Sequence, residues 1–226
     1  MTEQAHGRMN ACAPARASGR ALALARRIGV WAAAAALGIW APGALAADAT
    51  DPHAHHRHQV APDAARTSAA YTVPDVELVR DDGKTVRLSQ ELDDGRPVVL
   101  SFIFTSCTTV CPMISATLAQ LQRKLGPARD QVHLVSISID PEFDTPARLR
   151  EYASKFRAGP GWQHYGGTLA ASLAAQRAFG VYRGDKMNHS PATLVRSAPG
   201  AEWVRIDGFA TVNQLLAELP GVHASR

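Results

Sequence analysis

Two apolar segments on either side of an amphipathic helix constrain the fold more than any other feature of the sequence. Residues 97–104 (PVVLSFIF) and 132–139 (VHLVSISI) are nearly continuous runs of apolar residues, typical of strands buried on both faces of a sheet. Between them, residues 112–125 carry an apolar stripe with helical spacing that ends at Gly126-Pro127. A strand, a helix and a second strand in this order predict a right-handed crossover between two parallel central strands.

The rest of the chain from Tyr71 onward adds shorter strands and helices around this centre. They are a hairpin of 73–79 and 85–88, helix 145–156, a short strand 162–165, helix 169–179, a hairpin of 193–196 and 202–207, and helix 211–219. This alternation predicts the α/β class, with a central mixed sheet, an N-terminal β-hairpin and flanking helices on both faces. Residues 71–220 are predicted to form one domain, followed by a tail of residues 221–226.

The first 46 residues have the pattern of an export signal. Arg26-Arg27 is followed by an uncharged, mostly apolar stretch, then by Pro42-Gly43 and the small-residue triplet Ala44-Leu45-Ala46. This pattern predicts a signal peptide over residues 1–46 and an exported, periplasmic protein. The uncharged stretch is also long enough to cross a bilayer, so an uncleaved anchor that tethers the protein to the inner membrane is the alternative.

Residues 47–70 are rich in histidine and polar residues and show no apolar periodicity, which predicts a flexible linker. The histidines of this segment are His53, His55, His56 and His58. Such a cluster is suited to capturing Cu(II) or Zn(II) for another site. The simpler interpretation is a solvated linker that binds metal only incidentally.

The distribution of charge argues against nucleic acid as a partner. The excess of basic residues behind the net charge of +4 lies wholly in residues 1–46. Residues 47–226 contain equal numbers of basic and acidic residues. Because a nucleic-acid-binding domain usually carries an excess of Lys and Arg, we expect no nucleic-acid partner.

The predicted exported part contains two cysteines, Cys107 and Cys111, between the first central strand and its helix. Open α/β sheets usually bind ligands at this edge. Pro112 is tolerated in the first turn of a helix, so both thiols are expected near a helix N-terminus, whose dipole favours thiolates. In an oxidising compartment such a pair forms a disulfide, binds a metal or alternates between the two as a redox couple.

The spacing of the two cysteines leaves these alternatives open. In a helical turn their Cβ atoms lie about 5–6 Å apart, which is wide for a relaxed disulfide and easier for a bridging metal. In a looped conformation a disulfide can close. Two thiolates make an incomplete zinc site but suit Cu(I), which prefers few, soft ligands.

Histidine is the natural third ligand for such a metal. His189 lies in a loop directly before a predicted strand and is the best placed candidate, whereas His133 begins a buried strand and is expected to be structural. The other candidates in the body of the chain are His164 and His223.

Three motifs together resemble the Sco/SenC family. They are FIFTSC at residues 102–107 with Cys111-Pro112 after it, SIDPEFDTP at residues 138–146, and His189-Ser190 before a later strand. The resemblance covers about residues 71–219. It implies a thioredoxin-like fold, export or membrane tethering, and one copper ion, Cu(I) or Cu(II), bound by Cys107, Cys111 and His189.

The resemblance also implies a role in assembling the copper centre of cytochrome c oxidase, by delivering copper to an oxidase subunit or by reducing its cysteines. A metallochaperone, more than a turnover enzyme, is therefore the first hypothesis. A thiol–disulfide oxidoreductase is the second, with Cys107 and Cys111 as the redox-active pair and Cys107 attacking the redox partner. A thioredoxin-like peroxidase is the third. We interpret Asp140 as a partner of the site or a turn residue, and Asp144 as a turn residue.

Overall fold

Residues 65–222, which the computed structural model describes, form an eight-stranded mixed sheet with helices on both faces. The strands are β1 (Ala65–Ala69), β2 (Glu77–Arg80), β3 (Thr85–Arg87), β4 (Val98–Ile103), β5 (His133–Ser138), β6 (Trp162–Gly167), β7 (Ala192–Arg196) and β8 (Trp203–Asp207). The helices are α1 (Leu88–Glu91), α2 (Val110–Leu125), α3 (Pro146–Lys155), α4 (Leu169–Ala178) and α5 (Val212–Ala217), with 3₁₀ helices at Gly126–Gln131 and Lys186–Asn188. The strand order is β1-β8-β7-β4-β5-β6-β2-β3.

The predicted parallel centre of the sheet is confirmed. Strands β4, β5 and β6 are parallel neighbours, and every residue of β4 and β5 is buried. Because parallel strands end at the same edge of a sheet, the segments after β4 and β5 lie side by side. Strand β7 is antiparallel to β4 and pairs Thr193 with Ser101, so the loop before β7 reaches this edge too. We call it the carboxyl edge.

Apolar side chains fill the space on each side of the sheet. On one face, Phe102 and Tyr165 pack with Phe179 and residues of α1 and α4. On the other, α2 and α5 bury Leu118 and Leu215 against the sheet. A smaller cluster below the carboxyl edge joins Ile103, Cys111, Leu149 and Tyr152, among others. The cysteine segment is therefore anchored in the core by the buried Cys111, with the partly buried Cys107 packed against the same cluster.

The linker prediction is wrong for its last residues, because Ala65–Ala69 form β1. This strand pairs antiparallel with β8, with Ala65 opposite Asp207, and Arg66 donates two hydrogen bonds to the carboxylate of Glu218. Four of its five residues are exposed, so the strand is held mainly by backbone pairing and carries no apolar pattern. The folded domain therefore begins at least six residues before the predicted boundary at Tyr71.

Helix α2 begins at Val110, two residues before the predicted start. Pro112 still lies in the first turn, where its missing N–H costs no hydrogen bond. The earlier start places Cys111 inside the helix and leaves Cys107 in the preceding loop. The two cysteines therefore occupy different local environments.

Several predictions concern residues outside 65–222. The signal peptide or anchor of residues 1–46, the linker up to residue 64 with its histidine cluster, and His223 in the tail all lie there. Within residues 65–222, no helix combines the length and apolar character needed to span a membrane.

Candidate metal centre

The two cysteines lie at the carboxyl edge, on the segment that connects β4 to α2. Both are free thiols. The backbone N–H of Cys111 donates to Sγ of Cys107 at 3.4 Å, and the N–H of Phe104 donates to Sγ of Cys111 at 3.5 Å. Cys107 is half-buried, whereas Cys111 has no exposed surface. The pair therefore presents one accessible sulfur and one sulfur enclosed by protein.

The two thiols also differ in acidity. Partial burial works to raise the pKa of Cys107, but backbone N–H groups of Cys111, Thr109 and Val110 outweigh it, so its pKa lies below the ordinary value. Burial raises the pKa of Cys111 well above its ordinary value, against the single N–H of Phe104. The expectation of a thiolate favoured by the helix N-terminus is confirmed for Cys107 and wrong for Cys111, where burial dominates.

His189 follows the 3₁₀ helix Lys186–Asn188 and is half-buried at the same edge. Its Nε2 lies 3.0 Å from the carbonyl oxygen of Phe102 in β4. Because a carbonyl oxygen only accepts, Nε2 carries the hydrogen and Nδ1 holds the lone pair. Burial lowers the pKa of His189, which favours the neutral imidazole that metals require.

One cavity of about 210 Å³ brings Cys107 and His189 together. The remaining side chains and backbone around it belong to Phe104, Ser106, Thr108, Thr109, Val110, Lys186 and Met187. Cys111 lies behind Cys107 and does not line the cavity. Of the three candidate ligands, Cys107 and His189 therefore line one cavity. Cys111 lies on the core side and contacts Cys107.

The donor set fits copper by its chemistry, since two sulfurs and an imidazole nitrogen suit both Cu(I) and Cu(II). Within residues 65–222, however, no three His, Cys, Asp or Glu side chains already stand close enough to hold a metal ion. The ring of His189 is engaged with Phe102, and Cys111 points into the core. Coordination by all three therefore requires side chains to rotate.

Asp144 has a larger role than the turn residue predicted from the sequence. Its carboxylate is buried and accepts hydrogen bonds from the backbone N–H and hydroxyl of Thr105 and from the hydroxyl of Ser138. These contacts join the segment after β4 to the end of β5. The sequence shows only that an acid follows the second central strand, and it does not reveal the contact with Thr105, 39 residues away.

Asp140 acts on the site through Lys186. The ammonium of Lys186 lies 2.5 Å from the carboxylate of Asp140 and above the ring of Phe104, at 5.8 Å from its centroid. This ion pair connects the loop after β5 to the segment that carries His189. Sequence reasoning missed Lys186, because its only signal is its position three residues before the histidine.

The other two histidines of the described domain lie elsewhere in the core. The Nε2 of His133 lies 3.2 Å from the hydroxyl of Tyr165, which confirms its predicted structural place. His164 is fully buried and stacks on Trp162, with ring centroids 5.2 Å apart. Neither lines the cavity of Cys107.

Comparison with known proteins identifies the family. The family model described as SCO1/SenC matches residues 64–217. The chain belongs to the SCO1/SenC family. The resemblance found in the motifs is thereby confirmed, and the matched region begins one residue before β1.

Individual relatives agree with this membership. The chain is 37% identical over 86 residues to the SCO1 protein homolog of Bacillus subtilis, a match that covers 38% of this chain and 44% of the relative. The chain spans less than half the length of the curated relatives it matches.

Solved structures of Sco proteins with copper bound are similar to this chain. The copper-bound ScoI of Bradyrhizobium japonicum is 25% identical, with a TM-score of 0.55 over 65% of this chain and 96% of that chain. The copper-bound ScoI of Arabidopsis thaliana is 27% identical, with a TM-score of 0.55 over 65% and 94% of the two chains. These matches confirm the predicted thioredoxin-like α/β fold.

Proposed function

We propose that this SCO1/SenC family member is an exported metallochaperone that binds one copper ion through Cys107, Cys111 and His189. It passes the ion to a copper-receiving protein during assembly of the copper centre of cytochrome c oxidase. The observation that carries the proposal is the shared cavity, which Cys107 and His189 both line, with the backbone N–H of Cys111 in contact with the Cys107 sulfur.

The site suits ligand exchange. Thiolates bind Cu(I) strongly, and an imidazole adds affinity for Cu(II), so removal of His189 should affect the cupric form more. Cys107 and His189 line an open cavity, so an incoming thiolate can replace them one at a time. Copper then moves between proteins without being released to solvent.

Relatives support both copper binding and a role in cytochrome c oxidase assembly. The ScoI structures of Bradyrhizobium japonicum and Arabidopsis thaliana are described with copper bound. The protein BsSco is described as a member of the Sco family of cytochrome c oxidase assembly proteins. The predicted signal at residues 1–46 supports export to the compartment in which such assembly takes place, and N-terminal sequencing of the exported chain tests its cleavage.

Copper titration of the reduced, purified protein tests the proposal. We expect one equivalent of Cu(I) or Cu(II) to bind, the Cys107→Ser/Cys111→Ser double variant to bind neither tightly, and His189→Ala to lose mainly Cu(II). A variant with His53, His55, His56 and His58 replaced by Gln is the control for capture by the linker, and it should still bind one equivalent. Absence of copper uptake by the reduced wild type would contradict the proposal.

The unequal thiols specifically favour a second candidate, a thiol–disulfide oxidoreductase. The Cys107 thiolate would attack a partner's disulfide and release one partner thiolate, which takes up a proton. Cys111 would then lose its proton and attack the Cys107 sulfur, leaving a Cys107–Cys111 disulfide and a reduced partner. A thiol reductant would have to restore the pair. His189→Ala should leave this reaction intact, so rapid thiol exchange without copper uptake would reverse the ranking. No comparable observation in residues 65–222 favours the peroxidase alternative.

A further inference from the structure

Met187 is the most exposed large apolar side chain in the described domain, with 74% of its surface accessible. It lines the same cavity as Cys107 and His189. Residues 47–226 contain one other methionine, Met113, which is 53% exposed in the first turns of α2 but does not line this cavity. The two methionines therefore differ in their relation to the site although both are open to solvent.

Two hydrogen bonds within residues 185–189 and one ion pair to a neighbouring loop order the backbone that carries Met187. The Met187 N–H donates to the carboxylate of Asp185 at 2.8 Å, and the N–H of His189 donates to the carbonyl of Lys186 at 3.1 Å. The ion pair between Lys186 and Asp140 fixes the same segment to the loop after β5. A fixed backbone thus presents a flexible thioether to the cavity.

The thioether of Met187 is chemically suited to bind copper at this cavity. A methionine sulfur is a soft, neutral ligand that needs no deprotonation, and it suits Cu(I). Cys111 is enclosed by protein, so copper that arrives from solvent meets donors of Cys107, His189 and Met187 first.

We propose that Met187 is a further Cu(I) ligand, which forms with Cys107 and His189 a loading site at the mouth of the cavity. The proposal rests on the copper-binding function proposed above. Copper enters on Met187 and then moves inward: the bond from copper to the Met187 sulfur breaks, a bond to the Cys111 sulfur forms, and the Cys111 proton passes to solvent. Copper remains Cu(I) throughout, so no oxidant or reductant is consumed.

Competition for Cu(I) against a chromogenic chelator tests the loading site. In the Cys111→Ala background, Cu(I) binding depends on Cys107, His189 and Met187 at the mouth of the cavity. There we expect Met187→Leu to weaken Cu(I) binding by at least about tenfold. Removing a residue that only supports a metal ligand already lowers metal affinity about tenfold or more, and removing a direct ligand should cost no less. Met113→Leu is the matched control and should leave binding unchanged. In the wild-type background, Met187→Leu should slow copper uptake more than it lowers final affinity.

Methionine oxidation provides a second test, also in the Cys111→Ala background, where copper cannot move from Met187 to Cys111. Bound Cu(I) added anaerobically should protect Met187, but not Met113, from conversion to the sulfoxide by a brief pulse of chloramine-T, as read by peptide mass spectrometry. Equal protection of both methionines, or equal effects of the two Leu substitutions, overturns the role of Met187 while copper binding by the wild type still stands. Failure of the reduced wild type to bind copper overturns the proposed function and the loading site together.

Discussion

The two ends of the parallel strands use histidine in opposite ways. At the amino end, His133 is buried with one ring nitrogen 3.2 Å from the hydroxyl of Tyr165 and the other 3.1 Å from the carboxylate of Asp94. At the carboxyl edge, His189 directs one nitrogen to a carbonyl and leaves the other with a lone pair beside a cavity. Metal binding needs an unoccupied nitrogen, so the difference lies in the neighbours and not in the residue type.

The carboxyl edge itself has two layers. The outer layer holds Cys107, His189 and Met187 around the cavity, and the inner layer holds buried polar groups centred on Asp144. A site that exchanges ligands needs mobile side chains on a fixed support. The comparison therefore predicts large stability effects for the inner layer and small ones for the outer layer.

The largest expected effect is that of Asp144→Ala. It leaves the N–H and hydroxyl of Thr105 and the hydroxyl of Ser138 without their acceptor, so we expect a loss of about 3 kcal/mol in the free energy of unfolding. Urea denaturation measures it. Asp140→Ala is the control, because its carboxylate pairs with a partly exposed lysine. Equal losses for the two variants would contradict the division into layers.

Acid should destabilise the protein mainly through the buried His133 and His164, and less through the half-buried His189, whose pKa burial also lowers. Burial lowers the pKa of His133 to about 4 and that of His164 to about 3, from an ordinary value of 6.5. Below pH 6.5 the unfolded chain binds protons that the folded chain does not, so stability falls as pH decreases toward 4. The slope should approach about 1 kcal/mol per pH unit for each histidine.

Denaturant unfolding at several pH values measures this slope. A His133→Gln variant should show a shallower slope than the wild type, whatever its stability at pH 8. The His189→Gln variant should keep more of the wild-type dependence of the free energy of unfolding on pH, because His189 borders the cavity and is only half-buried. A slope that is unchanged in His133→Gln would exclude His133 as a source of the acid sensitivity.

The two thiols should react with iodoacetamide at very different rates. The pKa of Cys107 is lowered, so its alkylation should rise with pH and reach half its maximum rate at a lower pH than that of a free cysteine. Cys111, buried and with a raised pKa, should react only after unfolding. Peptide mass spectrometry distinguishes the two sites, and comparable alkylation of both in the folded protein would contradict the structure.

The smallest expected effect is that of Lys186→Gln. Loss of the ion pair with Asp140 loosens the segment of His189 without exposing core, so stability should hardly change. Copper affinity should fall a few-fold at most. Asp140→Asn should produce the same change, and the double variant should add little to either, as expected when two residues act through one contact.

The sequence was sufficient for those parts of the molecule that depend on local patterns. The apolar runs 97–104 and 132–139 became β4 and β5, and the motifs around Cys107 and His189 identified the family. Strand β1 was not predictable, because an edge strand of exposed residues is stabilised by backbone pairing that leaves no apolar pattern.

The parts of the site that escaped prediction depend on contacts between distant residues. The acidity of Cys107 follows from the adjacent helix, but the opposite shift in Cys111 follows from burial against residues such as Leu149 and Tyr152. The role of Asp144 depends on Thr105, which only the pairing of β4 with β5 brings near. Ligation by Cys107, Cys111 and His189 remains a prediction that copper titration will test.

The direction of β1 sets where the preceding polypeptide joins the domain. Ala65 pairs with Asp207, and Asp207 pairs with Ala192 at the start of β7, so β1 begins at the carboxyl edge of the sheet. Three inter-strand spacings, about 14 Å in all, separate β1 from the strand that leads to Cys107. The polypeptide that precedes Ala65 is therefore attached at the edge of the sheet that also carries the cavity, and not at the amino ends of the parallel strands.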